Sequence, residues 1–123
     1  MTIPPESSPP YTLRVLTGDE EREVNVDTDL MHDAITLFDK MDQDMDHGVR
    51  LSRRFVASPN QTERGQVVAN RLLTALHTQN DASATLMAAY LMQRLPELQS
   101  VVINVEGETE ETFFYNRDGA LIQ

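Results

Sequence analysis

Hydropathy changes period twice along this chain, and that change constrains the fold more than any other feature. Near the N-terminus, polar and apolar residues alternate through Tyr11-Thr12-Leu13-Arg14-Val15-Leu16 and again through Glu23-Val24-Asn25-Val26-Asp27. Successive side chains of a strand point to opposite faces, so alternation of this kind marks a strand with one face buried. Gly18 and Asp19 lie between the runs and supply turn chemistry. The expectation is a β-hairpin whose core face carries Leu13, Val15, Val24 and Val26. Period two returns at Val101, Ile103 and Val105, alternating with Val102, Asn104 and Glu106, and a further strand is expected at Thr112-Phe113-Phe114-Tyr115. Asn116-Arg117-Asp118-Gly119 has the composition of a tight turn, and Ala120-Leu121-Ile122 reads as a short last strand.

Between these ends the spacing becomes helical. Ala34, Phe38, Met41, Met45, Gly48, Ser52 and Phe55 recur at alternating intervals of four and three, which draws one stripe along a helix. The stripe crosses Gly48 without a phase slip. The spacing therefore predicts a single helix from about residue 28 to about 57, capped from Asp27 to Asp29. Gly48 would mark the close approach of another backbone, with a hinge there as the alternative. Ser58-Pro59-Asn60-Gln61 predicts a second helix start, with Ser58 at the cap and Pro59 at the first helical position. Asn80-Asp81 caps a third helix, Ala82 to Leu95, which is apolar nearly all round. Such a helix belongs in the centre of a core or in an oligomer interface. Pro96 ends it.

The order ββ-ααα-ββ(β) predicts an α+β fold. Four or five strands from the N- and C-terminal hairpins form one antiparallel sheet, packed against three helices. A chain of 123 residues has the length of one domain. Residues 1–10 hold four of the six prolines, so the reading is a disordered Pro-rich tail at 1–10 and a single α+β domain over 11–123.

Composition removes whole classes of chemistry. Cysteine is absent, which excludes disulfides, thiolate nucleophiles and cysteine-ligated metal centres. The first residues carry no basic segment followed by an apolar run, and no stretch approaches the roughly 18 apolar residues of a membrane span. The chain reads as cytoplasmic, with no membrane role. Its net charge is −10, distributed as −9 over residues 1–47, +4 over 48–95 and −5 over 96–123. A field this negative repels nucleic-acid phosphates, so no nucleic-acid partner is expected.

The segment Asp39 to Gly48 invites a metal reading. Asp42, Asp44 and Asp46 match the first three ligand positions of an EF-hand loop, but Gly48 falls one place late and Arg53 stands where a bidentate glutamate is required. The pairs Asp29/His32 and Asp44/His47 have carboxylate-x-x-His spacing, yet a predicted rise of about 1.5 Å per residue sets them too far apart to share an ion. The stronger reading makes Asp39, Asp42, Asp46, Arg50 and Arg53, with His32, one solvated helix face, with Asp46 and Arg50 as an i,i+4 pair. The five glycines are scattered and no serine sits in Gly-x-Ser-x-Gly, so neither a phosphate loop nor a nucleophile elbow can be written. An acid–base pair from distant residues, such as His77 with Glu63 or Asp81, is the one catalytic arrangement left open. No catalytic, cofactor-binding or metal-binding residue is assigned and no cofactor is expected.

The expected function is therefore a small acidic interaction or regulatory module without catalytic activity, whose partner is another protein or a second copy in a homodimer. Its speculative interaction surface is Asp39, Asp42, Asp46, Arg50 and Arg53. The acidic segments Asp19 to Glu23 and Glu106 to Glu111 would form one negative edge if the two hairpins share a sheet. The alternative is a small enzyme or ligand-binding protein with a pocket between sheet and helices, lined by Met41, Met45, Met87, Met92, Phe38, Phe55, Phe113 and Tyr115. A third reading, an acidic mimic of nucleic acid, is opposed by the arginine-rich middle of the chain.

Overall fold

A computed structural model describes residues 11–122; the expected Pro-rich tail at 1–10 lies outside the described residues. The first alternating runs form β1 (Tyr11–Thr17) and β2 (Glu20–Val26), an antiparallel hairpin that pairs Leu13 with Val24. Gly18 turns it with φ +63, a left-handed conformation that a residue without Cβ adopts at no steric cost. Leu13, Val15, Val24 and Val26 are all buried, as their alternation requires.

The long helix expected over 28–57 is not formed. The chain makes α1 (Thr28–Asp33) and α2 (Ile35–Met45), and then a small antiparallel hairpin of β3 (Val49–Leu51) and β4 (Arg54–Val56). Asp27 caps α1 by accepting from Asp29 N. Gly48 explains the second break, because its φ of +105 cannot continue a right-handed helix. Beyond it, Val49 and Leu51 are buried on either side of exposed Arg50, the period of a strand. Phe55, assigned by spacing to the buried stripe, is 57% exposed. Its ring lies against Gly48, where an added Cβ would come within 2.2 Å of Phe55 Cζ. The neighbour that crowds Gly48 is thus a side chain and not the backbone expected there, and the chain turns at Gly48 as the hinge alternative has it.

The next helix, α3 (Gln61–His77), begins two residues later than expected. Asn60, not Ser58, is the cap. Asn60 Oδ1 accepts from Glu63 N at 2.8 Å, and Asn60 N donates to Glu63 Oε1 at 2.8 Å. Both arms of a capping box are made, satisfying two otherwise orphaned amides. It ends in a left-handed residue, Gln79 (φ +58), with Asn80 N donating to Ala75 O and Gln79 N to Leu76 O, the bond pattern of a Schellman motif. Helix α4 (Asp81–Arg94) is capped by Asn80 and buries Ala88, Ala89, Tyr90 and Leu91 completely. It packs against α1, α3, β2 and β5 (Leu98–Ile103), which accounts for its lack of a broad polar face.

The C-terminal run supplies β5, a 3₁₀ turn at Thr109–Glu111, β6 (Phe113–Asn116) and β7 (Leu121–Ile122). The main sheet has the order β2-β1-β5-β6-β7. It is mixed, not antiparallel: β5 runs parallel to β1, pairing Val15 with Val101 and Thr17 with Ile103. This register keeps the buried rows of both strands on one face, beneath α3 and α4. The architecture is α+β with four helices, a mixed five-stranded sheet and a separate two-stranded sheet. No helix among the described residues is long and apolar enough to cross a membrane.

Candidate functional site

The three carboxylates assigned to a solvated face, Asp39, Asp42 and Asp46, lie along one side of α2 at helical spacing. That side meets two arginines. Arg94, near the end of α4, donates through Nε to Asp42 Oδ2 at 3.0 Å and through Nη2 to Asp39 Oδ1 at 2.7 Å. Arg64 on α3 reaches the carboxylate of Asp46, and its Nη1 donates to Asp42 O at 2.7 Å. Tyr90, fully buried on α4, donates its hydroxyl proton to Asp42 Oδ1 at 2.5 Å and accepts from Gln61 Nε2 at 3.3 Å. Burial, and after it the bond to Asp42, push the Tyr90 hydroxyl up to about 12. The Tyr90 ring stands edge-on to Phe38 at 5.7 Å, and the Arg94 guanidinium lies over both rings. These bonds clamp α2 onto α3 and α4. Among the described residues, no buried side-chain polar atom of the clamp lacks a partner.

The other two residues of the expected surface lie elsewhere. Arg50 is on β3 and Arg53 in the β3–β4 turn, outside any helix. The expected Asp46–Arg50 pair is absent because the chain leaves the helix before Arg50, and Asp46 turns to Arg64. Among the described residues, Arg50 donates only to Arg53 O, at 3.4 Å. Ser52, at the tip of this hairpin, has φ +56 and a buried Oγ with no partner among the described residues.

Asp42, Asp44 and Asp46 do not converge. Asp44 pairs with Lys40 at 2.9 Å, while its neighbours turn to Tyr90, Arg94 and Arg64. Among the described residues no three His, Asp or Glu side chains are placed to hold a metal ion. Glu63 and His77 stand at opposite ends of α3, about 21 Å apart at 1.5 Å per residue, so they cannot exchange a proton. Phe38, Met41, Met45 and Met92, expected to line a pocket, are core residues, and Met87 is half-buried.

The remaining open feature is the sheet face turned away from the helices. Pairing continues one outward row through Glu21, Leu16, Val102 and Phe113, and another through Glu23, Arg14, Ser100, Tyr115 and Leu121. The β2 side is charged, with Arg14 bridging Glu21 at 2.8 Å. The other side is apolar: Val102 is 36% exposed, Phe113 42% and Leu121 44%, with Leu16 and Tyr115 half-buried beside them. At the sheet edge, Phe113 and Leu121 also line a cleft of about 310 Å³, together with Phe114, Ile122, Asn60, Thr62, Gln66 and Thr112. No titratable side chain among the described residues lines it.

The two acidic segments meet at one end of the sheet, because β1 and β5 run parallel. A Cβ at Gly18 would lie 3.8 Å from Val105, so the β1–β2 turn touches the β5–β6 loop. Glu20, Glu21 and Glu110 are bridged by Arg22, Arg14 and Arg54. Asp19, Glu106, Glu108 and Glu111 form no salt bridge among the described residues.

Sequence reasoning did not single out this face. A signal was present: Val102 is apolar at an outward position beside inward Val101 and Ile103, and Phe113-Phe114-Tyr115 is aromatic in both phases. A strand apolar in both phases presents apolar surface on both sides. No protein-family model matches the chain, and neither curated proteins nor solved structures yield a match.

Proposed function

We propose that this chain is a small acidic protein-interaction module, without catalytic activity of its own, that docks a partner protein on the uncovered face of its sheet. The observation that carries the reading is the paired row Leu16, Val102 and Phe113, with Tyr115 and Leu121 beside it: contiguous apolar side chains on which no described element packs. Isolated exposed apolar residues are ordinary, whereas a contiguous patch rimmed by charge is the usual signature of an interaction site. The polar cluster on α2 also joins helices, with Asp39 and Asp46 still more than half exposed.

A photo-crosslinking residue placed at Val102, and separately at Asn25 on the polar side of the same face, tests this in the native cell. Adducts with another protein are expected from position 102 only, and Phe113→Glu in the same chain abolishes them. Equal adducts from both positions, or none from 102, would overturn the reading.

One observation favours a second reading. The cleft of about 310 Å³ lies between α3 and the sheet edge, at the lower end of the range for small-molecule sites, roughly 300–1,000 Å³. A small molecule retained by the native protein, seen by intact mass measurement and lost on Gln66→Leu, would favour a ligand-binding protein over a docking module.

A further inference from the structure

Resting on the docking reading, we propose that the occupant of the outer sheet face is an amphipathic helix of a partner protein. Its apolar stripe lies across β1, β5, β6 and β7, one aromatic side chain fills the edge cleft, and basic residues along one flank meet the carboxylates at the sheet end.

The size of the apolar patch suits a small occupant. Four strands about 4.8 Å apart, each offering one or two outward residues, make an apolar patch of roughly 19 by 13 Å. A stable dimer buries about 800 Å² on each partner, several times this patch. A helix about 10 Å wide and 12 residues long, spanning about 18 Å, covers it. A second copy also brings a further net charge of −10.

The sheet edges argue against an added strand. β2 presents Glu20, Glu21, Arg22 and Glu23 along its edge, and charge is an ordinary defence against edge pairing; at the other edge the described part of β7 is Leu121–Ile122. Beyond β7, the Thr112 carbonyl accepts from Gln66 Nε2 at 3.2 Å, and Thr112 N donates to Thr109 O. The face remains, and what packs on the opposite face of this sheet is helices.

Charge selects the helix. The row Leu16, Val102 and Phe113 is the outward row nearest the sheet end where Asp19, Glu106, Glu108 and Glu111 have no cationic partner among the described residues. Lysines or arginines on the adjacent flank of a bound helix would supply them. The cleft, continuous with the patch through Phe113 and Leu121, offers the enclosed site in which interfaces place an aromatic anchor.

The test uses a synthetic helical peptide of 15 residues with a leucine stripe, one tryptophan in it and four lysines along one flank. It is titrated into the isotope-labelled full chain and followed by amide chemical shifts. Shifts are expected at Val102, Phe113, Leu121 and Glu106. Glutamate in place of the lysines should weaken binding at least tenfold at low salt, and Trp→Ala in the peptide about tenfold. The Glu106→Gln/Glu108→Gln chain should bind the lysine peptide about threefold to tenfold more weakly, with a shallower salt dependence. Equal binding of both peptides, or shifts confined elsewhere, overturns the helix inference; if position-102 adducts persist, the docking reading survives it. A concentration-dependent dimer lost on Phe113→Glu overturns it in favour of a second copy. Face shifts caused by Ile3→Ser without peptide overturn it in favour of the chain's own residues 1–10.

Discussion

The two faces of the main sheet are built from the same strands, often from adjacent residues, and they meet opposite fates. Inward Val15, Val101 and Phe114 lie under α3 and α4 with almost no exposure, while outward Val102 and Phe113 keep about two-fifths of theirs. Burying an aliphatic side chain contributes about 1.5–3 kcal/mol. The inner face therefore stabilises the fold, and the outer face leaves that free energy available to the proposed docking. Similar residues on one strand thus serve stability or, under the docking proposal, recognition, according to what covers them.

The largest effect that sharpens this contrast comes from one charge moved by one residue. Val101→Asp places a carboxylate under the helices and should cost at least about 4 kcal/mol, enough to unfold much of the protein. Val102→Asp should change stability by no more than about 1 kcal/mol. Urea denaturation of both variants reads the difference, and similar losses would break the comparison.

The same contrast recurs along α2. Asp42→Ala removes the acceptor of the buried Tyr90 hydroxyl and one of the two carboxylates on Arg94, and should cost about 2 kcal/mol. Asp44→Ala removes only an exposed pair and should cost under about 0.5 kcal/mol. The Tyr90 hydroxyl adds a pH signature. Its ionisation is raised from 10 to about 12 in the folded chain, so the stability it contributes is whole below pH 10 and lost as the pH rises toward 12. Denaturation midpoints at pH 8 and pH 11 should show that loss, and Tyr90→Phe should remove it.

Gly48→Ala should cost about 2 kcal/mol or more, since alanine is strained at φ +105 and meets the Phe55 ring. At the small end, Gln79→Gly should stabilise by about 0.5–1 kcal/mol by relieving a left-handed residue at the end of α3. Thermal unfolding distinguishes the two signs.

These positions also separate what was legible in the sequence from what was not. Leu13, Val15, Val24, Val26, Val101 and Ile103 announced their face, because alternation is a local consequence of backbone pleating. Which strand lies beside which is not local. Nothing between Tyr11 and Thr17 states that β5 will pair with β1, or in which direction, so the sheet was expected antiparallel. The stripe through Gly48 misled for a different reason. Spacings of three and four can run across a break by chance, and Val49-Arg50-Leu51 is too short to outvote them. Asp39, Asp42 and Asp46 were legible as one side of a helix, but Arg64 and Arg94 come from 18 and 55 residues away. The outer patch was legible in principle, through strands apolar in both phases.

The most direct test of the docking face is Phe113→Glu, read for stability and for position-102 adducts together. The account predicts a midpoint of thermal unfolding within about 3 °C of the parent chain and complete loss of the adduct. A chain that unfolds many degrees earlier, or one that keeps its adduct, would show that Phe113 serves the fold or nothing, and would contradict the assignment of this face to a partner.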